Sequence, residues 1–250
     1  MRLYGLIGYP LGHSRSAEIW NGRFAREGID AEYALYELPS VSDIMPLTEG
    51  TPLLCGFNVT IPYKKSVIPF LSTLSPEARE AGAVNTVKIE RGGDGSLSLH
   101  GYNTDITGFM RAVRPLIEDV PHDKRKALVL GTGGASGAVC VGLRNLGWEV
   151  TVVSRRRGDG VVAYSELTPE VVDGCGMVVN ATPAGMAPHI MASPPFPYEY
   201  LHPGQVCFDL VYNPENTLFM RIAAAHGCRV KNGLAMLEYQ AEEARKIWNI

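Results

Sequence analysis

The segment "ALVLGTGGASGAVCVGLRNLG" (127–147) constrains the fold more strongly than any other stretch of the sequence. An apolar run of strand length leads into closely spaced glycines, and a stretch of helix length follows. In such a unit Gly131 permits the tight turn, Gly133 lets the backbone approach a pyrophosphate, and the helix N-terminus supplies unpaired N–H groups. Glycine-rich turns also end ordinary buried strands, but the strand and the helix on either side favour a nucleotide-binding loop.

The end of the next predicted strand discriminates between NAD and NADP. A fold selective for NAD carries an acidic residue about 20 residues past the glycines, where it binds the ribose 2'-hydroxyl. This sequence has "VVSRRR" there, with Ser154, Arg155, Arg156 and Arg157. Guanidinium groups suit a 2'-phosphate, so the run favours NADP. The alternative is a solvated group of charges after a strand.

The rest of the chain has the pattern of an α/β protein. Apolar runs of strand length alternate with amphipathic stretches of helix length, which predicts mainly parallel sheets. In the first part, strands are predicted at 3–8, 31–38, 53–60 and 83–89, and a glycine-rich hairpin at 90–103 is predicted to close the first sheet. A second array of strands and helices follows, and a long helix is predicted at the end of the sequence.

Composition excludes several classes of partner. The 250 residues carry a formal net charge of -3, which gives no field that would gather nucleic acid or anionic lipid. No apolar run approaches the roughly 20 residues that span a bilayer. The five cysteines occur singly and without metal-ligand spacing, which is typical of buried thiols in a reducing compartment. We therefore expect a cytoplasmic protein with a small-molecule substrate, no metal, and no membrane or nucleic-acid partner.

Several polar residues follow predicted strands in the first part of the chain, where α/β proteins place their sites. In "GHSRS", Ser14 and Ser16 precede a helix, so one of them can be its N-cap and the pair can bind a small anion. Lys64 ends "NVTIPYK", and by itself a lysine there is more often solvated. Asp105 ends "GYNTD" before a helix, where an acid is commonly a cap or a first-turn residue.

Seven ordered motifs together resemble the shikimate dehydrogenase family from end to end. They are "GHSRS", "NVTIPYK", "AGAVNT", "GYNTD", "GTGGASG", "NATPAGM" and "NGLAMLEYQ". The resemblance implies an α/β protein with an N-terminal substrate domain, whose sheet is mainly parallel, and a Rossmann-like NADP-binding domain, with a cleft between them. The expected substrate-binding and catalytic domain is 1–103, completed by the C-terminal helix 233–250, and the expected NADP-binding domain is 104–232.

The resemblance also implies an activity, the reversible NADPH-dependent reduction of 3-dehydroshikimate to shikimate in aromatic amino-acid (chorismate) biosynthesis. Hydride transfer to a ketone leaves negative charge on its oxygen, and a lysine ammonium can both stabilise and protonate that oxygen. Lys64 would accordingly be the general acid in reduction and the base in oxidation, with Asp105 as its partner.

The remaining site residues follow from the resemblance position by position. Ser14 and Ser16 would bind the substrate carboxylate. The ring hydroxyls and the reacting oxygen would be bound, beside the catalytic pair, by Thr60, Asn85 and Gln240, and Tyr212 corresponds to the substrate tyrosine of the family. The cofactor would be contacted by Gly131, Gly133, Gly134, Ala135, Ser154, Arg155, Arg156 and, at the nicotinamide end, by the backbone of Leu210 and Gly233.

One departure from the family concerns the cofactor. The element after the second cofactor strand commonly reads N-R-T, whereas this chain has Ser154-Arg155-Arg156. The arginine of this element is kept, so NADP stays the expected cofactor, but the sequence does not define the contacts to adenine.

Two alternatives are a quinate/shikimate dehydrogenase of broader specificity and a non-catalytic NADP-sensing regulatory protein on the same scaffold. A monomer and a homodimer are both compatible with the sequence.

Overall fold

The computed structural model of the protein describes residues 1–12 and 14–250, so His13 of the "GHSRS" motif lies outside the described residues. The chain divides into two units. The first unit comprises Met1–Thr104 and Glu242–Ile250, and the second unit comprises Asp105–Ala241.

The first unit is a mixed α/β structure. Its strands and helices are β1 (Arg2–Gly8), α1 (Ser16–Glu27), β2 (Ala31–Glu37), α2 (Ile44–Gly50), β3 (Leu54–Val59), β4 (Thr73–Leu74), α3 (Pro76–Ala81), β5 (Thr86–Arg91) and β6 (Leu97–Tyr102). Gly28 ends α1 in the left-handed conformation, at φ 65°, and its N–H donates to carbonyls of the last turn. Glycine at position 28 therefore ends the helix.

The first sheet has the order β2-β1-β3-β5-β6-β4. β1 pairs with β2 and β3 in parallel, and β5 and β6 form the predicted antiparallel hairpin. The prediction that this hairpin closes the sheet is wrong, because the two-residue strand β4 pairs with β6 outside it. The strand predicted at 83–89 begins only at Thr86, and Asn85 just before it belongs to a polar network described below.

An aromatic cluster holds the C-terminal residues in the first unit. The Trp248 ring lies 4.8 Å from the Tyr4 ring and 5.2 Å from the Trp20 ring, measured between centroids. Trp248 Nε1 also donates to the carbonyl of Val87 in β5 (3.0 Å). The last residues of the chain are thereby packed against the first sheet.

The second unit is built around a parallel sheet. Its strands and helices are α4 (Asp105–Ile117), β7 (Lys126–Leu130), α5 (Gly134–Asn145), β8 (Glu149–Ser154), β9 (Val161–Ala163), α6 (Pro169–Asp173), β10 (Met177–Asn180), β11 (Val206–Asp209), α7 (Leu218–Ala225), β12 (Arg229–Asn232) and α8 (Leu234–Trp248), the last of which continues into the first unit. The strand order is β12-β11-β10-β7-β8-β9 and every neighbouring pair is parallel. This is the doubly wound order of dinucleotide-binding folds.

The central strands of this sheet are buried on both faces. In β7, Ala127 and Val129 belong to one apolar cluster, while Leu128 and Leu130 belong to another. A strand covered by helices on both sides reads as a continuous apolar run, because alternate side chains enter two different cores. That burial explains the "ALVL" pattern from which the strand was predicted.

Candidate active site

The first sheet gathers the predicted substrate segments at one edge. β1 and β3 are parallel neighbours, so the segments after them, which hold Ser14 and Thr60, emerge at the same edge. The Thr60 N–H donates to the Ile7 carbonyl (2.9 Å), and the Tyr9 N–H donates to the Ile61 carbonyl (3.1 Å). The start of β5 and the end of β6 reach this edge as well, because β5 pairs antiparallel with both β3 and β6.

Asn85 is buried within a hydrogen-bond network at this edge. Its Nδ2 donates to Thr104 Oγ1 (2.9 Å), and its Oδ1 accepts from the Thr104 N–H (2.8 Å). Beside it, Asn58 Nδ2 donates to Thr86 Oγ1 (3.0 Å), and the Tyr33 hydroxyl donates to Asn58 Oδ1 (2.7 Å). A buried polar group without a partner costs about 1–3 kcal/mol, so the network favours one arrangement of the "NVTIPYK", "AGAVNT" and "GYNT" segments.

Lys64 lies in the turn that follows β3. Its backbone carbonyl accepts from the Val84 N–H (2.7 Å), and the neighbouring Tyr63 side chain is buried. Lys64 is half-buried, whereas Lys65 is exposed. The interpretation as a solvated lysine after a strand therefore fits Lys65 better than Lys64.

The serine pair corrects one expectation. α1 begins at Ser16, and its N-cap position is occupied by Arg15, which makes no side-chain cap hydrogen bond. Ser14 Oγ accepts from the Ser16 N–H (3.2 Å), so it satisfies a first-turn amide from outside the cap position. Neither serine is the N-cap, because the backbone enters the helix at Arg15. Binding of a carboxylate by this pair stays a prediction.

The glycine loop of the second unit fits a dinucleotide pyrophosphate. Gly131 follows β7 with φ 112°, a conformation unfavourable for residues with a Cβ, and an added Cβ would lie 3.0 Å from Thr182 Cγ2. Gly133 is the N-cap of α5 and supplies no side-chain hydrogen bond. The N-terminal amides, beginning at Gly134 and Ala135, therefore face a position that a phosphate can occupy without displacing a cap.

The three arginines after β8 differ in their contacts. All three are exposed. Arg157 Nη1 forms an ion pair with Glu166 Oε1 (3.0 Å), and the other carboxylate oxygen of Glu166 accepts from the Ala163 N–H (2.7 Å). Arg157 is thus held against Glu166, and Arg155 and Arg156, which follow Ser154, stay the arginines predicted to bind a 2'-phosphate.

A buried carboxylate ends β11, next to the predicted nicotinamide contact Leu210. Asp209 is fully buried and accepts hydrogen bonds from Asn180 Nδ2 (2.9 Å), the Val211 N–H (2.9 Å) and Thr217 Oγ1 (2.6 Å). Burial raises the pKa of Asp209 from 3.8 to about 6, although the three hydrogen bonds favour its ionised form.

Asp209 should make the stability of the protein depend on pH. Because its pKa is higher in the folded state, folding binds a proton, and the resulting stabilisation is complete below the ordinary pKa of 3.8 and is lost as the pH rises through about 6. Its full size is about 3 kcal/mol. We predict that Asp209→Asn lacks this component. When the pH is lowered from about 7.5 to 3.5, the free energy of unfolding of the wild type should therefore increase by about 3 kcal/mol relative to that of the variant.

Urea unfolding of both proteins at the two pH values measures this difference. Subtraction removes the contributions of the other titrating groups, which the two proteins share. A stability difference that is the same at both pH values would contradict the prediction.

Gly233 approaches the backbone of Leu210 closely. A Cβ at position 233 would overlap the Leu210 carbonyl. The Gly233 N–H also donates to the carbonyl of Val211 (3.4 Å). The structure therefore brings together the two residues that were predicted to line the nicotinamide end.

Asp105 and Gln240 lie on two packed helices of the second unit. Asp105 is buried and is the first residue of α4, while Gln240 is in α8. One turn after Asp105, an added Cβ on Gly108 would lie 2.8 Å from the Met236 carbonyl and 3.0 Å from Gln240 Cβ. Glycine at 108 thus allows the close approach of α4 and α8.

The predicted substrate residue Tyr212 is half-buried and follows β11.

Comparisons with known proteins bear on the family. Residues 6–87 match the sequence model described as "Shikimate dehydrogenase substrate binding domain". The shikimate dehydrogenase (NADP(+)) of Caldanaerobacter subterraneus subsp. tengcongensis is 36% identical over 263 residues, which covers 99% of this chain and 91% of that protein. The chain belongs to the shikimate dehydrogenase family.

Solved structures from the family confirm the predicted fold class. The shikimate 5-dehydrogenase of Thermus thermophilus, in complex with NADP(H) and shikimate, matches with a TM-score of 0.84 and 34% identity over 99% of this chain and 93% of that one. The quinate dehydrogenase of Corynebacterium glutamicum, in complex with NAD, also has a TM-score of 0.84, at 28% identity, with the same coverage of both chains. An α/β substrate domain and a Rossmann-like NADP domain are common to the family.

Sequence reasoning missed several polar residues in this member of the shikimate dehydrogenase family. Asp209, Asn180 and Asn58 are buried at strand ends, beside residues that were predicted as site residues. One signal was present in the sequence: "VCFD" places an acid at the end of an apolar strand, and a fully buried acid is rare unless it is paired. Its partners were not readable, because Asn180 precedes Asp209 by 29 residues.

Two further properties concern the residues that the structure describes. Among residues 1–12 and 14–250, no helix combines the length and the apolar character needed to cross a membrane. In the same residues, no group of three or more His, Cys, Asp or Glu side chains is arranged to hold a metal ion.

Proposed function

We propose that this protein is an NADP-dependent shikimate dehydrogenase that reversibly reduces 3-dehydroshikimate to shikimate in aromatic amino-acid biosynthesis. The observation that carries the proposal is its 36% identity, over 99% of the chain, to an enzyme named shikimate dehydrogenase (NADP(+)). A relative solved with NADP(H) and shikimate supports the same substrate and cofactor. We assign substrate binding to residues 1–103 with helix 233–250, and NADP binding to residues 104–232.

The substrate residues are part of the same proposal. Ser14 and Ser16 bind the carboxylate of the substrate. The ring hydroxyls and the reacting oxygen are bound by the catalytic pair and by Thr60, Asn85, Tyr212 and Gln240. The position of Thr60 and Asn85 at the edge where β1 and β3 end supports this assignment, since ligands of α/β sheets bind at the carboxyl ends of parallel strands.

Bound NADPH would supply the hydride, and residues of the chain supply position and a proton. Lys64 donates a proton to the substrate oxygen during reduction and removes it during oxidation, with Asp105 as its partner. A lysine side chain of fixed position suits this role, because proton transfer requires the donor within hydrogen-bond reach of the reacting atom. The half-buried Lys64, whose carbonyl is bonded to Val84, supports the proposal.

Selectivity for NADP gives a direct test of the arginine run. We predict that replacing both Arg155 and Arg156 with alanine raises the KM for NADP by about 100-fold or more, because two charge-assisted hydrogen bonds to the 2'-phosphate are lost, each contributing about 1.5–3 kcal/mol. The KM for NAD should stay within about twofold, since NAD has no 2'-phosphate. Initial rates with saturating shikimate and varied cofactor measure both values.

Arg157→Ala is the matched control for this experiment. It removes an exposed arginine from the same run, but one that is paired with Glu166. Its KM for NADP should change by less than about threefold, since its guanidinium group is paired with Glu166 and is not among the proposed contacts to the 2'-phosphate. An effect of Arg157→Ala as large as that of the double variant would show that the run acts through its net charge.

The proposed reaction is tested by mixing the protein with shikimate or quinate, and with NADP or NAD, and following reduced nicotinamide by absorbance. Turnover with shikimate and NADP that exceeds every other combination is expected. No turnover with any pair would favour the non-catalytic, NADP-sensing alternative and would overturn the proposal.

A second candidate is a quinate/shikimate dehydrogenase of broader specificity that uses NAD. The fold shared with a quinate dehydrogenase in complex with NAD favours it. Preference for quinate or for NAD in the same assay would support this candidate. The arginines after β8 argue against it, because an NAD-selective fold carries an acid at that position.

Location and assembly complete the proposal. Singly occurring cysteines, four of them buried and Cys55 half-buried, suit a reducing compartment, so we propose a cytoplasmic enzyme. We propose that it works as a monomer or a homodimer on a small-molecule substrate. Sedimentation velocity at enzyme concentrations used in the assay distinguishes these two states from larger assemblies.

A further inference from the structure

The carboxylate of Asp209 joins segments that are distant in the sequence. Asn180, which donates to Asp209 Oδ1, ends β10 and begins the "NATPAGM" motif. Asn180 Oδ1 in turn accepts from the N–H (3.0 Å) and the hydroxyl (2.6 Å) of Thr182. Thr182 lies against Gly131 of the cofactor loop. If Gly131 had a Cβ, the atom nearest to it would be Thr182 Cγ2, at 3.0 Å. One face of the carboxylate is therefore linked to the loop that is proposed to bind the pyrophosphate.

The other contacts of the carboxylate lead to the nicotinamide end. Thr217, which donates to Asp209 Oδ2, also caps α7 by accepting from the Met220 N–H (3.3 Å). The Val211 N–H donates to Asp209 Oδ1, and the Val211 carbonyl accepts from the Gly233 N–H. Asp209 thus bonds to Val211, the residue after Leu210, and Val211 in turn bonds to Gly233.

We propose that Asp209 is a positioning residue that fixes the backbone of Leu210 and Gly233 for the nicotinamide end of the cofactor. The inference rests on the proposed function. Asp209 acts through other residues, because its two oxygens are occupied by Asn180, Val211 and Thr217. A carboxylate suits the role, because two oxygens can accept from three converging donors, whereas alanine would leave all three donors without this acceptor.

The side chain of asparagine has the same shape and keeps one acceptor oxygen. That oxygen can accept from Asn180 and Val211, while the new amide donates to the Thr217 hydroxyl after the hydroxyl turns. Asp209→Asn should therefore retain the positioning, and Asp209→Ala should lose it. The pair separates the geometry of the hydrogen bonds from the charge of the carboxylate.

The experiment compares the wild type, Asp209→Ala and Asp209→Asn at pH 8. It measures the Kd for NADPH by titration of NADPH fluorescence, the fluorescence lifetime of bound NADPH, kcat for reduction, and the isotope effect on kcat with NADPH deuterated at the transferred hydrogen. For Asp209→Ala we expect kcat to fall about tenfold or more and the isotope effect to increase, because misplacement of the reacting groups slows hydride transfer itself. The lifetime of bound NADPH should change, while its Kd should change by less than about threefold, since the glycine loop and arginines are retained.

Asp209→Asn should recover kcat to within about threefold of the wild type and restore the lifetime of bound NADPH. An Asp209→Ala protein that melts earlier but keeps the kcat, isotope effect and bound lifetime of the wild type would overturn the proposal and leave a purely structural role. Inactive wild-type protein with every substrate would instead overturn the proposed function, while the lifetime of bound NADPH would still test the positioning.

If Asp209→Ala does not fold, Thr217→Val removes one hydrogen-bond donor to the carboxylate and leaves Asp209 itself in place. We expect the same direction of change in kcat and in bound lifetime, and unchanged values would overturn the proposal. Thr168→Val is its control, since Thr168 caps α6 by accepting from the Val171 N–H but belongs to a different helix end. Thr168→Val should leave kcat and lifetime unchanged, and a loss equal to that of Thr217→Val would attribute the effect to helix capping and overturn the proposal.

Discussion

Replacing Lys64 with alanine is expected to lower kcat for shikimate oxidation by about a hundredfold or more. The ammonium group is proposed to protonate the substrate oxygen in reduction, and loss of general acid–base catalysis typically costs a factor of about 100 to 10,000. The KM for shikimate should change much less, because the serine pair and the other proposed ligands are retained. Steady-state kinetics at saturating NADP measure both effects.

Lys65→Ala is the matched control for Lys64→Ala. It removes the same side chain one residue later, from an exposed position. Its kcat should stay within about twofold of the wild type, as for most exposed substitutions that leave the reacting groups unchanged. A Lys64→Ala enzyme with near-normal kcat would remove Lys64 from the mechanism. Partial recovery of its activity by small primary amines in solution would support the role of the ammonium group as the proton donor.

Replacing Trp248 with alanine is expected to lower the free energy of unfolding by about 3–5 kcal/mol, the range for large aromatic residues in protein cores. Trp248 is 4% exposed and packs against the Tyr4 and Trp20 rings, and its Nε1 donates to the Val87 carbonyl. Gly56 makes room for it, since a Cβ at position 56 would overlap the indole ring. The substitution would therefore leave a cavity in the first unit and remove the indole donor from the Val87 carbonyl.

Urea unfolding at constant pH measures this loss of stability, and two variants divide it into parts. Trp248→Phe keeps an aromatic ring but removes the indole N–H, so it should cost about 1–3 kcal/mol, which includes the lost hydrogen bond and a smaller cavity. Lys246→Ala removes a nearby exposed side chain of the same helix and should change the stability by less than about 0.5 kcal/mol. A Trp248→Ala protein as stable as Lys246→Ala would show that the end of α8 does not contribute to the first core.

Local patterns were sufficient to predict the main elements. The apolar run at β7, the glycines after it and the helix that follows were predicted from residues that are neighbours in the sequence. The prediction succeeded because both faces of β7 are buried, so that every residue of "ALVL" had to be apolar. The hairpin of β5 and β6 was predicted for a similar reason, since a glycine-rich turn joins two adjacent strands.

The predictions failed where the local residue pattern does not decide the outcome. β4 has only two residues, Thr73 and Leu74, which are too few to form a periodic pattern, and it is a strand because it pairs with β6. Ser14 was a reasonable candidate for a helix cap, but the cap position depends on where the backbone turns into α1, and that position is Arg15. The ion pair of Arg157 with Glu166, nine residues later, was likewise not predicted.

The sequence by itself determined the fold class, the family and the cofactor, because these depend on motifs of short range whose order along the chain is specific. Only the tertiary structure decided which polar groups bond to one another. Asn58 meets Thr86, and Asp209 meets Asn180, across 28 and 29 residues respectively. Such partners are brought together by pairing of strands, and buried donors and acceptors must then find partners within their own surroundings. For that reason the contacts of Asp209 near Leu210 and Gly233 were found only in the folded protein.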